Sequence, residues 1–342
     1  MVQGSQLVNK VSAIMEQLDF SGIVLFRKNG ETLLNLTRGH AQRSDELPIM
    51  PDTRFGIASG CKIFTAVAIG QLVEQGKLTY ESRLSEVLDI DFPLWDESIT
   101  VHQLLTHTAG IPDYFDEEEM HDFASLWKER PVYAMREPGD FLPMFQNLPM
   151  KFAPGERFHY NNAGYIVLGL IIEQQSGTSF AEYVEEHVFR RCQMEDSGYF
   201  EADRLPRNTA TGYVDHEDGT WTSNVFSIPV KGGADGGAYT TGPDMLRFWS
   251  ALLNHELLSG EGTSQLLKPY SRQEDNEYYG RGVWIDLDGK EPFKMHVMGF
   301  DPGVSFMSAV YPQQNAQLVI CSNRESGPYR ISRAIEEEWD KE

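Results

Sequence analysis

Ser59 and Lys62 lie three positions apart in the segment FGIASGCKIFTA, at the start of a segment with helical apolar periodicity. On a helix this spacing places both side chains on one face and within reach of each other. A serine hydroxyl becomes a good nucleophile when a base takes its proton, and a lysine is such a base when burial and nearby positive charge lower its pKa. The helix N-terminus also offers N–H groups to a developing oxyanion. The pair indicates nucleophilic catalysis, although a helix cap beside a solvated lysine has the same pattern.

Tyr160 and Asn162, in the segment PGERFHYNNAGYIVLG, form a second candidate pair just before a long apolar helix. Beside a lysine ammonium the phenolate of Tyr160 is favoured and can act as a general base. The Asn162 amide can donate a hydrogen bond to a substrate carbonyl. The alternative is structural: Tyr160 as a core aromatic and Asn162 as the N-cap of the helix.

The elements that must position these residues alternate between β-rich ends and a helical interior. Segments 21–26 and 31–36 flank Asn29-Gly30, a dipeptide typical of a tight hairpin turn, and segments 282–287, 293–297, 304–311 and 316–320 are also strand-like. Helices are predicted at the N-terminus (Leu7, Val11, Ile14 and Leu18 at helical spacing), from about Tyr329, and over 63–74, 101–107, 163–175, 180–190 and 243–253.

We therefore predict an α+β fold, with an antiparallel β-sheet built from both chain termini, flanked by helices, and a large inserted, mainly helical lobe. Residues 1–62 and 270–342 would form the sheet lobe and residues 63–269 the helical lobe. Two sequential α+β domains are the alternative, but each half would have too few strands for a good sheet.

Composition narrows the class of protein. The chain has 342 residues with 29 Lys+Arg against 51 Asp+Glu, a net charge of -22, which argues against nucleic acid or anionic membrane as a partner. The three cysteines and nine histidines show no disulfide or metal-site spacing, so we expect no metal and no cofactor. We see neither a membrane span nor a signal-peptide pattern, and therefore expect a cytoplasmic protein.

Both motifs, together with the segments SGIVLFRKNG, QLVEQGKLTYESRLSEVL, ITVHQLLTHTAGIPDY and GGADGGAYTTGPDMLRFWSALL, resemble the serine β-lactamase and penicillin-binding protein family. The similarity is greatest to its class C β-lactamase, DD-peptidase and esterase-like branch, and it extends from about residue 20 to residue 323. It implies a β-lactamase/transpeptidase-like fold and a serine hydrolase with an acyl-enzyme on Ser59. Lys62 and Tyr160 match the groups that activate the nucleophile, and Asn162 matches the side chain that contacts the substrate amide.

The third family motif, Lys-Thr/Ser-Gly or His-x-Gly on a sheet strand, differs in this chain. Alignment on GFDPGVS places Val297-Met298-Gly299 in the motif, whereas a bulge would bring His296 there, so His296 stays a candidate substrate-binding residue. Gly299 would let substrate lie along the strand, and the Phe300 N–H would complete an oxyanion hole with that of Ser59.

The missing motif lysine and hydroxyl affect the expected substrate, because in the family they bind the free carboxylate of a β-lactam or of a terminal D-alanine. We therefore expect a small-molecule ester, amide or β-lactam as substrate, with an esterase or small amide or peptide hydrolase favoured over an efficient β-lactamase. A non-catalytic penicillin-binding or sensing protein on the same fold is the alternative. His107 is interpreted as a core histidine and the acidic segment 116–122 as an exposed loop or a lid. The oligomeric state stays open.

Overall fold

A large antiparallel sheet formed by both ends of the chain organises the structure, a computed structural model that describes residues 2–339. Its strands pair in the order β2-β1-β14-β13-β12-β11-β10-β9, and three smaller two-stranded pairs are β3-β4, β5-β8 and β6-β7. The predicted sheet from both termini is confirmed. The strands are β1 Gly22–Lys28, β2 Glu31–Arg38, β3 His40–Gln42, β4 Leu47–Pro48, β5 Phe55–Gly56, β6 Tyr213–Asp215, β7 Trp221–Ser223, β8 Tyr239–Thr240, β9 Ser271–Arg272, β10 Glu277–Tyr279, β11 Trp284–Asp288, β12 Glu291–Asp301, β13 Val304–Tyr311 and β14 Ala316–Ser322.

Helices pack on both faces of this sheet. The helices that lie between the N-terminal and C-terminal strands in the chain build the helical lobe. The turn between β1 and β2 has positive φ at Asn29 (51°) and Gly30 (82°), as the dipeptide predicts. The helices are α1 Val2–Gln17, α2 Lys62–Glu74, α3 Leu84–Val87, α4 Val101–Leu105, α5 Leu142–Phe145, α6 Asn162–Ser176, α7 Phe180–Val184, α8 Gly242–Leu253, α9 Gly260–Leu266 and α10 Pro328–Trp339. The helix predicted over 180–190 is confirmed as α7 followed directly by a π-helical segment, Glu185–Phe189.

Alternation along the strands divides the apolar residues between two cores. In β1, Val24 and Phe26 face α1 and α10, whereas Ile23 and Leu25 face the helical lobe. In β14, Leu318 and Ile320 belong to the core beneath α1 and α10, whereas Val319, which lies between them, belongs to the core beneath the helical lobe. The core beneath the helical lobe contains α2 and α6, the helices that carry the two candidate motifs. Burial of these helices against the sheet therefore fixes the motifs relative to β12.

No helix among residues 2–339 combines the length and the apolar character needed to cross a bilayer.

Candidate active site

Ser59 lies in a short 3₁₀ turn, Ala58–Cys61, that leads directly into α2. Ala58 has φ 44°, the left-handed region that a residue with a side chain rarely adopts. Backbone hydrogen bonds hold this turn on both sides: Ile57 N–H donates to Ala238 O (3.0 Å), and Gly237 N–H donates to Ala58 O (3.2 Å). The strained turn is thus held by neighbouring backbone, and Ser59 lines a deep cleft beside it.

Lys62 occupies the first position of α2 and is 2% exposed. Its Nζ contacts the Ser59 Oγ at 2.9 Å, the Asn162 Oδ1 at 2.8 Å and the Asp235 carbonyl oxygen at 2.6 Å. The last two partners can only accept, so they fix two N–H bonds of Lys62 in either protonation state. In the contact with Ser59 Oγ, Lys62 donates an N–H when it is an ammonium, and its lone pair accepts from the serine hydroxyl when it is an amine. A proton can therefore pass between Ser59 and Lys62 without any rearrangement of the other two contacts.

Tyr160 lies beside the nucleophile, half-buried among aromatic rings. Its ring stacks on Trp284 (centroids 6.2 Å apart) and lies 4.4 Å from the ring of His107. Burial and the nearby Glu117 carboxylate raise the pKa of Tyr160 well above its ordinary value, against the opposing effect of its hydrogen bond with Ser59. The prediction that Lys62 favours the phenolate is therefore wrong, and Tyr160 holds its proton in the resting site.

Asn162 is the first residue of α6, and its side chain is not the helix cap. Asn161 caps the helix instead, because its side chain accepts a hydrogen bond from Gly164 N–H at 2.7 Å. Asp113 accepts from the N–H groups of Asn162 (2.6 Å) and Ala163 (2.9 Å). The Asn162 amide is thereby free to accept from Lys62 through its oxygen and to donate to Glu117 through its nitrogen (3.3 Å). Burial raises the pKa of Asp113 to about 7.

The strand β12 passes directly against the nucleophile turn at Gly299. A Cβ at this position would lie 2.0 Å from Ile57 O and 2.9 Å from Ser59 N, so only glycine permits this approach. The neighbouring Met298 and Phe300 are exposed at the cleft (38% and 63%). The backbone thus brings Phe300 and Ser59 to the same wall of the cleft.

His296 lies outside this cleft, which corrects its candidacy as a substrate-binding residue. It alternates along β12 with Val297, which is buried in the core beneath the helical lobe, so His296 faces the opposite side of the sheet. Lys294 shares that side and contacts Glu336 on α10 (3.3 Å). Burial and the Lys294 charge lower the pKa of His296 well below its ordinary value, so its imidazole is neutral.

The segment that the sequence indicates as a loop or lid forms one wall of the cleft. Asp116 anchors it, because its carboxylate accepts from Lys151 and from His159 Nε2 (3.0 Å). His107 is buried in the core with its pKa well below the ordinary value, because burial disfavours its charged form. The contacts of Asp116 hold the next residue, Glu117, in place beside Asn162.

The cleft has a volume of about 980 Å³ and is acidic. Its charged lining residues are Lys231, Glu117, Glu118, Asp122, Asp235, Asp301 and Glu325. Many aromatic rings complete the lining, among them Phe115, Phe200, Tyr239 and Trp284. The arrangement combines a serine nucleophile, a buried lysine and a neutral tyrosine in an enclosed site of negative charge.

The chain belongs to the β-lactamase family, because the family model described as Beta-lactamase matches residues 7–337. Penicillin-binding protein 4* of Bacillus subtilis (strain 168) is 29% identical to it over 326 residues, which cover 91% of this chain and 69% of that protein. The crystal structure of a penicillin-binding protein from Bacillus halodurans has 52% sequence identity and a TM-score of 0.92, with 95% of this chain and 99% of that one covered.

A more distant solved structure, a D-amino acid amidase from Ochrobactrum anthropi SV3, has 20% identity and a TM-score of 0.79, with 98% of each chain covered. This last likeness shows the fold alone. Together these proteins confirm the resemblance to penicillin-binding proteins and the β-lactamase/transpeptidase-like fold.

Sequence reasoning missed three acidic residues that the fold brings to the site. Asp113 and Glu117 lie between the two motifs in the chain, and Asp301 follows the third motif directly. Asp113 ends the matched segment ITVHQLLTHTAGIPDY as its last residue but one, which was the available signal. Nothing in the local sequence distinguishes Glu117 or Asp301 from surface acids.

Proposed function

We propose that the protein is a serine hydrolase that forms an acyl-enzyme on Ser59. The observation that carries the proposal is the contact of the buried Lys62 Nζ with Ser59 Oγ, fixed by the two acceptor-only partners Asn162 Oδ1 and Asp235 O. This arrangement provides a base that can take the serine proton and return it.

In the acylation step, Ser59 Oγ forms a bond to the substrate carbonyl carbon while its proton moves to the Lys62 amine. The carbonyl oxygen becomes an oxyanion that accepts from the N–H groups of Ser59 and Phe300. Collapse of this intermediate breaks the bond to the leaving alcohol or amine, and Tyr160, which holds its proton in the resting site, protonates that group. The proton on Lys62 then restores the phenol of Tyr160. Deacylation repeats these steps with water as the nucleophile and Ser59 as the leaving group.

The third motif supports esters and small amides or peptides as substrates rather than rapid β-lactam turnover. Val297 stands where the resemblance implies a cation, and its side chain is buried in an apolar core. A carboxylate on the leaving-group side of a β-lactam would therefore meet no positive charge at this position. The acidic lining of the cleft makes an anionic substrate less favourable still.

Hydrolysis assays with p-nitrophenyl esters, amino-acid amides and a chromogenic cephalosporin test this proposal. Ser59→Ala should abolish ester hydrolysis, whereas Ser227→Ala, a change of another serine that lines the same cleft, should leave it within about twofold. Rapid turnover of the cephalosporin alone would contradict the substrate preference. Ester hydrolysis that survives in Ser59→Ala would contradict the nucleophile.

A further inference from the structure

Asp301 is a carboxylate in the cleft that the steps above do not use. It is the last residue of β12 and follows Phe300, whose N–H completes the proposed oxyanion hole. Asp301 lines the cleft and is half-buried, and among residues 2–339 we find no side-chain hydrogen bond or ion pair to it. The carboxylate therefore lies beside the reaction centre without a partner.

The surroundings of Asp301 make this arrangement unfavourable for the free protein. Burial, with the neighbouring carboxylates, raises the pKa of Asp301 to about 8. The positive charge of Lys62 acts on Asp301, but the Lys62 Nζ is already in contact with three other groups. The titratable groups whose charge acts on Asp301, or on which Asp301 acts, come from α2, β8 and the loops: Lys62, Tyr239, Tyr114, Glu117 and Asp235.

An unpaired carboxylate in an enclosed site costs free energy, and such groups persist where a ligand supplies the partner. Most of the charged groups that line this cleft are acidic, and Lys231 is the basic exception among them. The missing positive charge would have to come from the substrate.

The position of Asp301 along β12 indicates which part of the substrate carries that charge. Val297 lies on one side of Gly299 and occupies the position that, in the family, faces the carboxylate of the leaving group. Asp301 lies on the other side of Gly299, beyond the oxyanion hole. A substrate laid along the strand therefore directs its acyl portion towards Asp301.

We propose that Asp301 determines specificity by binding a positively charged group, such as an ammonium, on the acyl portion of the substrate. This inference rests on the proposed hydrolase activity and names its substrate class. Tyr239 also lines the cleft, and burial together with the nearby Asp301 charge raises the pKa of its hydroxyl to about 12. Its aromatic ring suits the apolar surface of an alkylated ammonium.

Two isosteric esters test the subsite: the p-nitrophenyl ester of trimethylammonio-butyrate and the ester in which carbon replaces the nitrogen. At pH 9, where the Asp301 carboxylate is charged, wild-type kcat/KM should be about tenfold higher for the cationic ester. The comparisons of variants below are made at the same pH. Asp301→Asn should lower kcat/KM for the cationic ester about tenfold and change that of the neutral ester less than about twofold. Asp288→Asn, an exposed change of equal charge outside the cleft, should leave the preference intact. Equal kcat/KM for the two esters in wild type, or an unchanged preference in Asp301→Asn, would overturn the proposal.

The pH profile gives a second readout that a structural role would not produce. The trimethylammonium group keeps its charge at every pH, so the preference should follow the ionisation of Asp301. It should rise as pH increases through about 8, where the carboxylate becomes charged, and it should be flat in Asp301→Asn. A preference that falls over this range would contradict the proposal.

Failure of the subsite can be separated from failure of the hydrolase. Calorimetric titration of Ser59→Ala protein with the amides of the two acids measures binding without turnover, and the cationic amide should bind about tenfold more tightly at pH 9. If neither ester is hydrolysed but the amides differ in this way, the hydrolase is wrong and the subsite is right. Asp301→Ser serves as a second variant if Asp301→Asn does not fold.

Discussion

The contact between β12 and the nucleophile turn at Gly299 gives the sharpest prediction about catalysis. In Gly299→Ala the new Cβ would lie 2.0 Å from Ile57 O and 2.9 Å from Ser59 N, whereas ordinary contacts begin at 3.4 Å. The clashing atoms belong to the backbone, so no side-chain rotation relieves them. The strand and the turn must separate by roughly 1 Å or more, which also moves the Phe300 N–H away from the substrate oxygen.

A displacement of this size, or the loss of one oxyanion donor, lowers the rate by about 100-fold to 1,000-fold. We expect kcat for a p-nitrophenyl ester to fall by about this factor in Gly299→Ala, with a cost in stability of about 1 to 3 kcal/mol. Steady-state kinetics and thermal unfolding measure the two effects separately.

Gly139→Ala is the matched control, because no atom lies within 4 Å of a Cβ at Gly139 and its φ is not positive. This control should keep kcat within about twofold. If Gly299→Ala keeps kcat within about threefold while the protein stays folded, the close approach of β12 does not build the oxyanion hole and the reasoning is refuted.

Four further predictions concern the groups around the nucleophile. Lys62→Met should lower kcat/KM for esters about 1,000-fold, and activity near wild type would exclude Lys62 as the base. Tyr160→Phe should slow amide hydrolysis about 100-fold or more but p-nitrophenyl ester hydrolysis much less, because nitrophenolate leaves without a proton; equal losses would contradict its role as the acid. Asp113→Ala removes the acceptor for two N–H groups at the start of α6 and should lower the free energy of unfolding by about 1 to 3 kcal/mol in urea titrations, whereas an unchanged midpoint would contradict the contact. Asp301→Asn should match wild type in stability near pH 3 and exceed it by several kcal/mol at pH 9 in urea titrations, because the pKa of Asp301 is about 8 in the folded chain and 3.8 in the unfolded chain.

The sheet and the motif helices could be predicted because their signals are local. The Asn29-Gly30 turn and the strand-like composition of β13 and β14 each reflect a preference of the segment itself. The short strands β9 and β10, at one end of the sheet, escaped prediction, since each has too few residues to show a period and is stabilised by pairing with its neighbours. The π-helical turn after α7 likewise depends on packing rather than on a residue pattern.

The candidate site could be predicted only in part, for electrostatic reasons. The spacing of Ser59 and Lys62 is a local property, and the structure brings Lys62 into contact with Ser59 and with Asn162. The protonation state of Tyr160 is not determined by the local sequence, because its pKa depends on burial and on Glu117, a residue distant in sequence. The face of the sheet occupied by His296 depends on strand register, which a short motif does not fix.

Mass spectrometry of the protein quenched during turnover of a p-nitrophenyl ester tests the central claim most directly. The account predicts that the intact mass increases by one acyl group and that the modified peptide contains Ser59. The adduct should be absent from Ser59→Ala and retained in Ser227→Ala. Turnover at a wild-type rate with the acyl group on another residue, or in Ser59→Ala, would contradict the account.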